Sequence, residues 1–108
     1  MEHRKLPHGG EEIGVLGIGT GSLHAAPPEE IRAVAETAAA NGINFFDLCA
    51  GGKSVYEPFG RAIEGRRKEL YFQLHFGAVY NAAGEYAWSR DLSEIKETFA
   101  REMKALRT

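Results

Sequence analysis

Six residues near the middle of the chain, Gly42-Ile43-Asn44-Phe45-Phe46-Asp47, restrict the fold more than any other stretch. Gly42 follows Asn41 at the end of an alanine-rich helical pattern. That is the composition of a helix C-terminus, because glycine takes the left-handed cap conformation at no steric cost. Ile43, Phe45 and Phe46 then make a short apolar run of the kind seen in a strand covered on both faces. Asp47 closes the run at the strand's C-terminal end, where parallel α/β proteins bind ligands. A carboxylate that merely caps a turn fits the same position.

The flanking segments predict more of the same architecture. His3–Leu6 and Glu12–Leu16 flank Pro7-His8-Gly9-Gly10, which predicts a β-hairpin. Further strands are expected near Leu16–Thr20, Asn44–Cys49 and Leu70–Phe76, parallel and joined by right-handed crossovers. Helices are expected near Glu29–Asn41, Glu57–Glu64 and Leu92–Leu106. The first begins with Pro28 and two glutamates that suit the helix dipole. The second carries Pro58 in its first turn. The third opens on Asp91-Leu92-Ser93-Glu94, the form of a capping box, with Leu92, Ile95, Phe99, Met103 and Leu106 at helical spacing. In the third main strand, Leu70, Phe72, Leu74 and Phe76 alternate with Tyr71, Gln73 and His75. The apolar set suits packing under helices, and the set carrying Gln73 and His75 suits the other face. Residues 77–90 read as a long loop, whose Tyr80, Tyr86 and Trp88 either pin it to the body or wall a ligand pocket.

Composition excludes several classes. No apolar run approaches the ~20 residues of a membrane span, and the N-terminus has no apolar signal core. With a net charge of −2 there is no broad field for nucleic acid. The cluster Arg66-Arg67-Lys68 reads as a solvated turn. The single cysteine, Cys49, allows no intrachain disulfide and suits a reducing cytoplasm. Cys49 with Asp47 and His75 could in principle hold zinc, but no ligand-like spacing supports it, and a small buried cysteine is the default. His3, His8 and His24 read as surface residues.

The ordered segments "VLGIGTGS", "NGINFFD" and "QLHFGA" resemble the N-terminal part of an aldo-keto reductase, a match running from about Arg4 to Thr108. The resemblance implies an α/β fold, the N-terminal part of a (β/α)8 TIM barrel preceded by a β-hairpin that closes the barrel bottom. A complete barrel needs roughly 250 residues, so residues 1–108 are expected to form an incomplete domain, either a piece of a longer protein or a truncated product. The implied activity is NADPH-dependent reduction of a small-molecule carbonyl. Gly17-x-Gly19-x-Gly21 lacks the glycine spacing of a dinucleotide fingerprint. By the resemblance, Gly19, Thr20 and Gly21 lie beside the nicotinamide ring.

The family's catalytic set is a Tyr, a Lys, an Asp and a His. The Asp position falls on Asp47. The Tyr position falls on Gly52 and the Lys position on His75, while the His would lie on a fourth strand beyond Thr108. Asp47 and His75 are therefore the candidate catalytic residues. They are expected within a few ångströms of each other at one end of the sheet, where a histidine can exchange a proton near neutral pH. The same positions fit a degenerate site with a neutral histidine, and Tyr56 is a further candidate phenol. The leading expectation is an aldo-keto reductase-type oxidoreductase, divergent or degenerate at its site. It is inactive as the isolated chain, which is not expected to bind NADPH usefully. The alternative is a non-catalytic remnant or interaction module that pairs through exposed barrel edges, and self-association of the isolated chain is expected.

Overall fold

The structure is a computed structural model, and it describes residues 1–48 and 52–108. Chain order gives β1 (His3–Lys5), β2 (Glu12–Gly14), β3 (Ile18–Gly19), α1 (Pro28–Ala40), β4 (Phe45–Asp47), α2 (Lys53–Ala62), β5 (Tyr71–Gln73), β6 (Ala78–Tyr80), β7 (Tyr86–Trp88) and α3 (Leu92–Ala105). β3, β4 and β5 form a parallel sheet in that order, while β1–β2 and β6–β7 are separate antiparallel hairpins. Among the described residues there is no closed barrel.

Register across the central sheet sorts its two faces. Ile18, Phe46 and Phe72 share one row, and Gly19, Asp47 and Gln73 share the next. Successive strand residues point to opposite faces, so the apolar row packs beneath the helices and the Asp47 row lies on the other side. Phe46 is fully buried and meets Phe59 of α2 edge-on at 4.9 Å between ring centroids; Phe72 meets Phe59 at 5.8 Å. Leu48, Ile63, Leu70 and Leu106 complete this core. Each large apolar side chain so buried contributes about 1.5–3 kcal/mol.

α1 ends as the sequence predicts. Gly42 adopts φ +83°, and the N–H of Ile43 reaches back to the Ala38 carbonyl at 3.0 Å. The small residues Ala35, Ala38 and Ala39 are buried, which lets α1 lie close on α2 and the sheet. Asn44 holds the first hairpin to the start of β4. Its Oδ1 accepts from the Gly14 N–H at 2.8 Å, and its Nδ2 donates to the Glu12 carbonyl at 2.9 Å.

Five expectations are corrected. Phe76, expected with Leu70, Phe72 and Leu74 beneath the helices, is 71% exposed, because β5 ends at Gln73 and the chain turns there toward β6. α2 begins at Lys53, not Glu57, so Pro58 lies inside the helix rather than in its first turn. Residues 77–90 are not a loop. They fold as the β6–β7 hairpin, whose tip is closed by the Asn81 and Glu85 backbones at 2.9 Å and by their side chains at 2.9 Å. The buried stripe of α3 is Ile95, Thr98 and Glu102, whereas Leu92 and Phe99 are about half exposed. α3 packs on β6 and α2, and that contact turns the helix toward its polar residues. Arg67 is not a solvated turn residue: its guanidinium lies 4.6 Å from the Phe72 ring centroid and bonds the Leu70 carbonyl and Thr108 Oγ1.

Candidate functional site

Asp47 is the last residue of β4 and Gln73 the last of β5, so parallel pairing sets them side by side at the C-terminal ends of adjacent strands. His75 follows two residues later, a step that returns the chain to the same face. The contacts are direct. His75 Nε2 lies 3.4 Å from Asp47 Oδ1, and the Gln73 side-chain nitrogen lies 3.3 Å from Asp47 Oδ2 and 3.0 Å from His75 Nε2. His75 therefore turns toward Asp47 and away from the helices, the juxtaposition that the sequence leads one to expect. Both side chains are about one-third exposed, so bulk water reaches the pair and screens its attraction.

β3 supplies the third member of the row. A Cβ added at Gly19 meets no atom of the described residues within 4 Å, so among them the space beside Asp47 is open. Thr20 is buried, and both its N–H and its hydroxyl bond the Asp47 backbone carbonyl, at 2.9 and 3.0 Å. The Thr20 side chain thus fixes the end of β4. Gly21 opens a short 3₁₀ turn, Gly21–Leu23.

Gly52 is the N-cap of α2, so no phenol stands at the position to which the family tyrosine aligns. Tyr56 does not replace it. Its ring is buried against Tyr80, its hydroxyl accepts from Tyr80 at 3.3 Å, and it hydrogen-bonds the carboxyl of Glu102. Burial pushes the Glu102 carboxyl above its ordinary value, while the Tyr56 bond and the nearby Arg101 charge pull the other way. This buried carboxyl was missed in the sequence because it sits at a position that reads as exposed helix. Gln73 was missed too; its signal was its place in the alternating set with His75.

Cys49 lies outside the described residues, and so does the zinc arrangement that would include it. Among the described residues no three of His, Cys, Asp and Glu gather as metal ligands would. A groove of about 1470 Å³ runs between α1, α2 and the β6–β7 tip, lined by residues including His24, Arg32, Arg61 and Tyr86. Its arginines are paired within their own helices, Arg32 with Glu36 and Arg61 with Glu57, each at 2.7 Å. Asp47, Gln73 and His75 do not line it, so the titratable cluster at the strand ends is the stronger candidate site.

A hairpin leading into parallel βα units, with polar residues gathered at the strands' C-terminal ends, makes an α/β fold that resembles part of a (β/α)8 barrel. The solved structures that the chain resembles include aldo-keto reductases, and the match is consistent with their N-terminal portion. Two structures of a Pseudomonas aeruginosa protein assigned to that family match with TM-scores of 0.76 and 0.75, each at 25% identity over 98% of this chain and 42% of the other. The holo form of an aldo-keto reductase from Bacillus halodurans matches with a TM-score of 0.76 at 22% identity, over 100% of this chain and 37% of the other. The chain thus spans about two-fifths of the length of the structures it matches. No protein-family model and no curated protein sequence matches it.

Proposed function

We propose that the chain is the N-terminal part of an aldo-keto reductase-type oxidoreductase that reduces a small-molecule carbonyl with NADPH, with Asp47 and His75 as its acid–base pair. The observation that carries this reading is the 3.4 Å contact between His75 Nε2 and Asp47 Oδ1 at the C-terminal strand ends. When bound, NADPH supplies the hydride; the open space at Gly19 suits close approach of a flat ring there. Hydride arriving at a carbonyl carbon leaves charge on the oxygen, which needs a proton. Protonated His75 gives that proton from Nε2 and becomes neutral, and Asp47 orients the ring. Cytoplasmic location belongs to the same proposal; among the described residues no helix is long and apolar enough to cross a membrane.

A second reading is favoured by the surface. Leu16, Phe76 and Trp88 are 59%, 71% and 66% exposed, and the outer edges of β3 and β5 have no strand partner among the described residues. Such edges and apolar side chains suit an interaction module that pairs with another chain. The intact mass of the gene product separates the readings, a mass well above 11.9 kDa favouring the enzyme. The test of mechanism is carbonyl-dependent NADPH oxidation by that full product. We expect His75→Ala and Asp47→Asn each to lower turnover by about 10²–10⁴-fold, the range of general acid catalysis. Unchanged turnover in both would refute the role of the pair.

A further inference from the structure

We propose that Gln73 is a positioning residue that selects the tautomer of neutral His75, holding the ring proton on Nδ1 and leaving the Nε2 lone pair as the site of proton exchange. The argument begins with what an amide nitrogen can do. It carries two hydrogens and no available lone pair, so it only donates. In this structure it lies between Asp47 Oδ2 at 3.3 Å and His75 Nε2 at 3.0 Å. One hydrogen goes to the carboxylate, and the other points at the ring nitrogen, which must then accept. Reversing the amide would set its carbonyl oxygen against Asp47 Oδ2, two acceptors face to face. Asp47 thereby fixes the orientation of the amide, and the amide fixes the ring.

The competing arrangement has Nε2–H donating to Asp47 Oδ1. At 3.4 Å that contact is longer than ordinary hydrogen bonds, whereas the 3.0 Å contact to Gln73 is within range. Among the described residues, this face is formed by β3, β4 and β5. Asp47 comes from β4, Tyr71 precedes Gln73 by two residues on β5, and β3 offers Gly19 with no side chain. For function the inference rests on the acid–base reading above. A ring that has just given its Nε2 proton is received by the Gln73 amide, so Nε2 is the nitrogen that cycles.

The test is nuclear magnetic resonance of the 108-residue chain with ¹⁵N-labelled histidine at about pH 9, well above the ~6.5 of free imidazole. Ring ¹H–¹⁵N correlations distinguish a protonated from an unprotonated nitrogen, and His75→Asn assigns the His75 signals. The expected wild-type pattern is protonated Nδ1 and unprotonated Nε2. In Gln73→Leu the pattern inverts, because Nε2–H is then free to donate to Asp47. Gln73→Glu keeps the side-chain length and offers only acceptors at neutral pH and above, so it inverts the pattern as well and serves where leucine unfolds the chain. A wild-type Nε2–H form, or one pattern in all three proteins, would overturn the proposal. This readout needs no turnover. An inactive full product with the expected tautomers would remove the reductase reading and leave the role of Gln73 standing.

Discussion

Gly60 of α2 lies so close to Ala105 of α3 that a Cβ on Gly60 would penetrate the Ala105 carbonyl oxygen and stand 3.0 Å from both the Ala105 carbonyl carbon and the Leu106 Cα. The obstruction is backbone, which cannot swing aside as a long side chain does. Leu106, buried in the main core, depends on this approach.

Gly60→Ala therefore separates the two helices or unwinds the end of α3. The expected loss is about 1–3 kcal/mol, the usual cost of overpacking, partly offset by alanine's better helix propensity. Urea denaturation monitored by far-ultraviolet circular dichroism reads it. An unchanged midpoint would mean that the helices do not pack this closely in solution.

Glu102 gives a prediction of opposite sign. Its carboxyl is raised from the ordinary 4.5, chiefly by burial. An acid raised on folding contributes stability that is fully present below its unfolded value and lost as pH rises through its folded value. Glu102→Gln keeps an acceptor for the Tyr56 hydroxyl and cannot ionise. Its melting temperature should exceed that of wild type at pH 7, and the difference should shrink toward pH 4. A variant less stable than wild type at pH 7 would show that the ionised carboxylate, held by Tyr56 and Arg101, stabilises the fold.

The isolated chain should bind NADPH more weakly than about 1 mM. On the proposed reading, Gly19 and its neighbours would contact only one end of a long dinucleotide, too few contacts to offset the entropy of immobilising it. Titration calorimetry showing a dissociation constant near 1 μM would contradict this.

Self-association should follow from the exposed strand edges and from Leu16, Phe76 and Trp88. Light scattering across a dilution series of the 108-residue chain should show an apparent mass that rises with concentration. A monomer at every concentration, with a cooperative thermal transition, would show that the edges are covered.

The sequence carried the elements whose signals are local. Gly42 ends α1 because its φ is positive, and Asp91 caps α3 with bonds from the N–H groups of Ser93 and Glu94. Asp47 and His75 could be paired in advance because both fall at the C-terminal ends of adjacent strands, whose parallel direction follows from the crossovers. The β6–β7 hairpin was hidden because its strands are three residues each, too short for alternation to register, and its turn is set by the Asn81 side chain. Glu102 and Thr98 were hidden for another reason. Their burial is decided by what α3 packs against, here Tyr56 and β6, and helical spacing alone favours the apolar Phe99 for the inside. The bridge made by Gln73 is a matter of side-chain direction at a strand end, which no spacing rule fixes.

The clip made by Asn44 has a consequence in time. It ties Gly14 and Glu12 to a side chain 30 and 32 positions along the chain, and closing a loop of that length costs about 3 kcal/mol in chain entropy. The first hairpin can pair its own strands early, since its turn is local, yet it has no anchor until α1 has folded and β4 has taken its place beside β3. Docking of the N-terminal hairpin thus comes late in folding. On warming, the order should reverse, and amide hydrogen exchange should be faster in the first sixteen residues than in the β3–β4–β5 sheet.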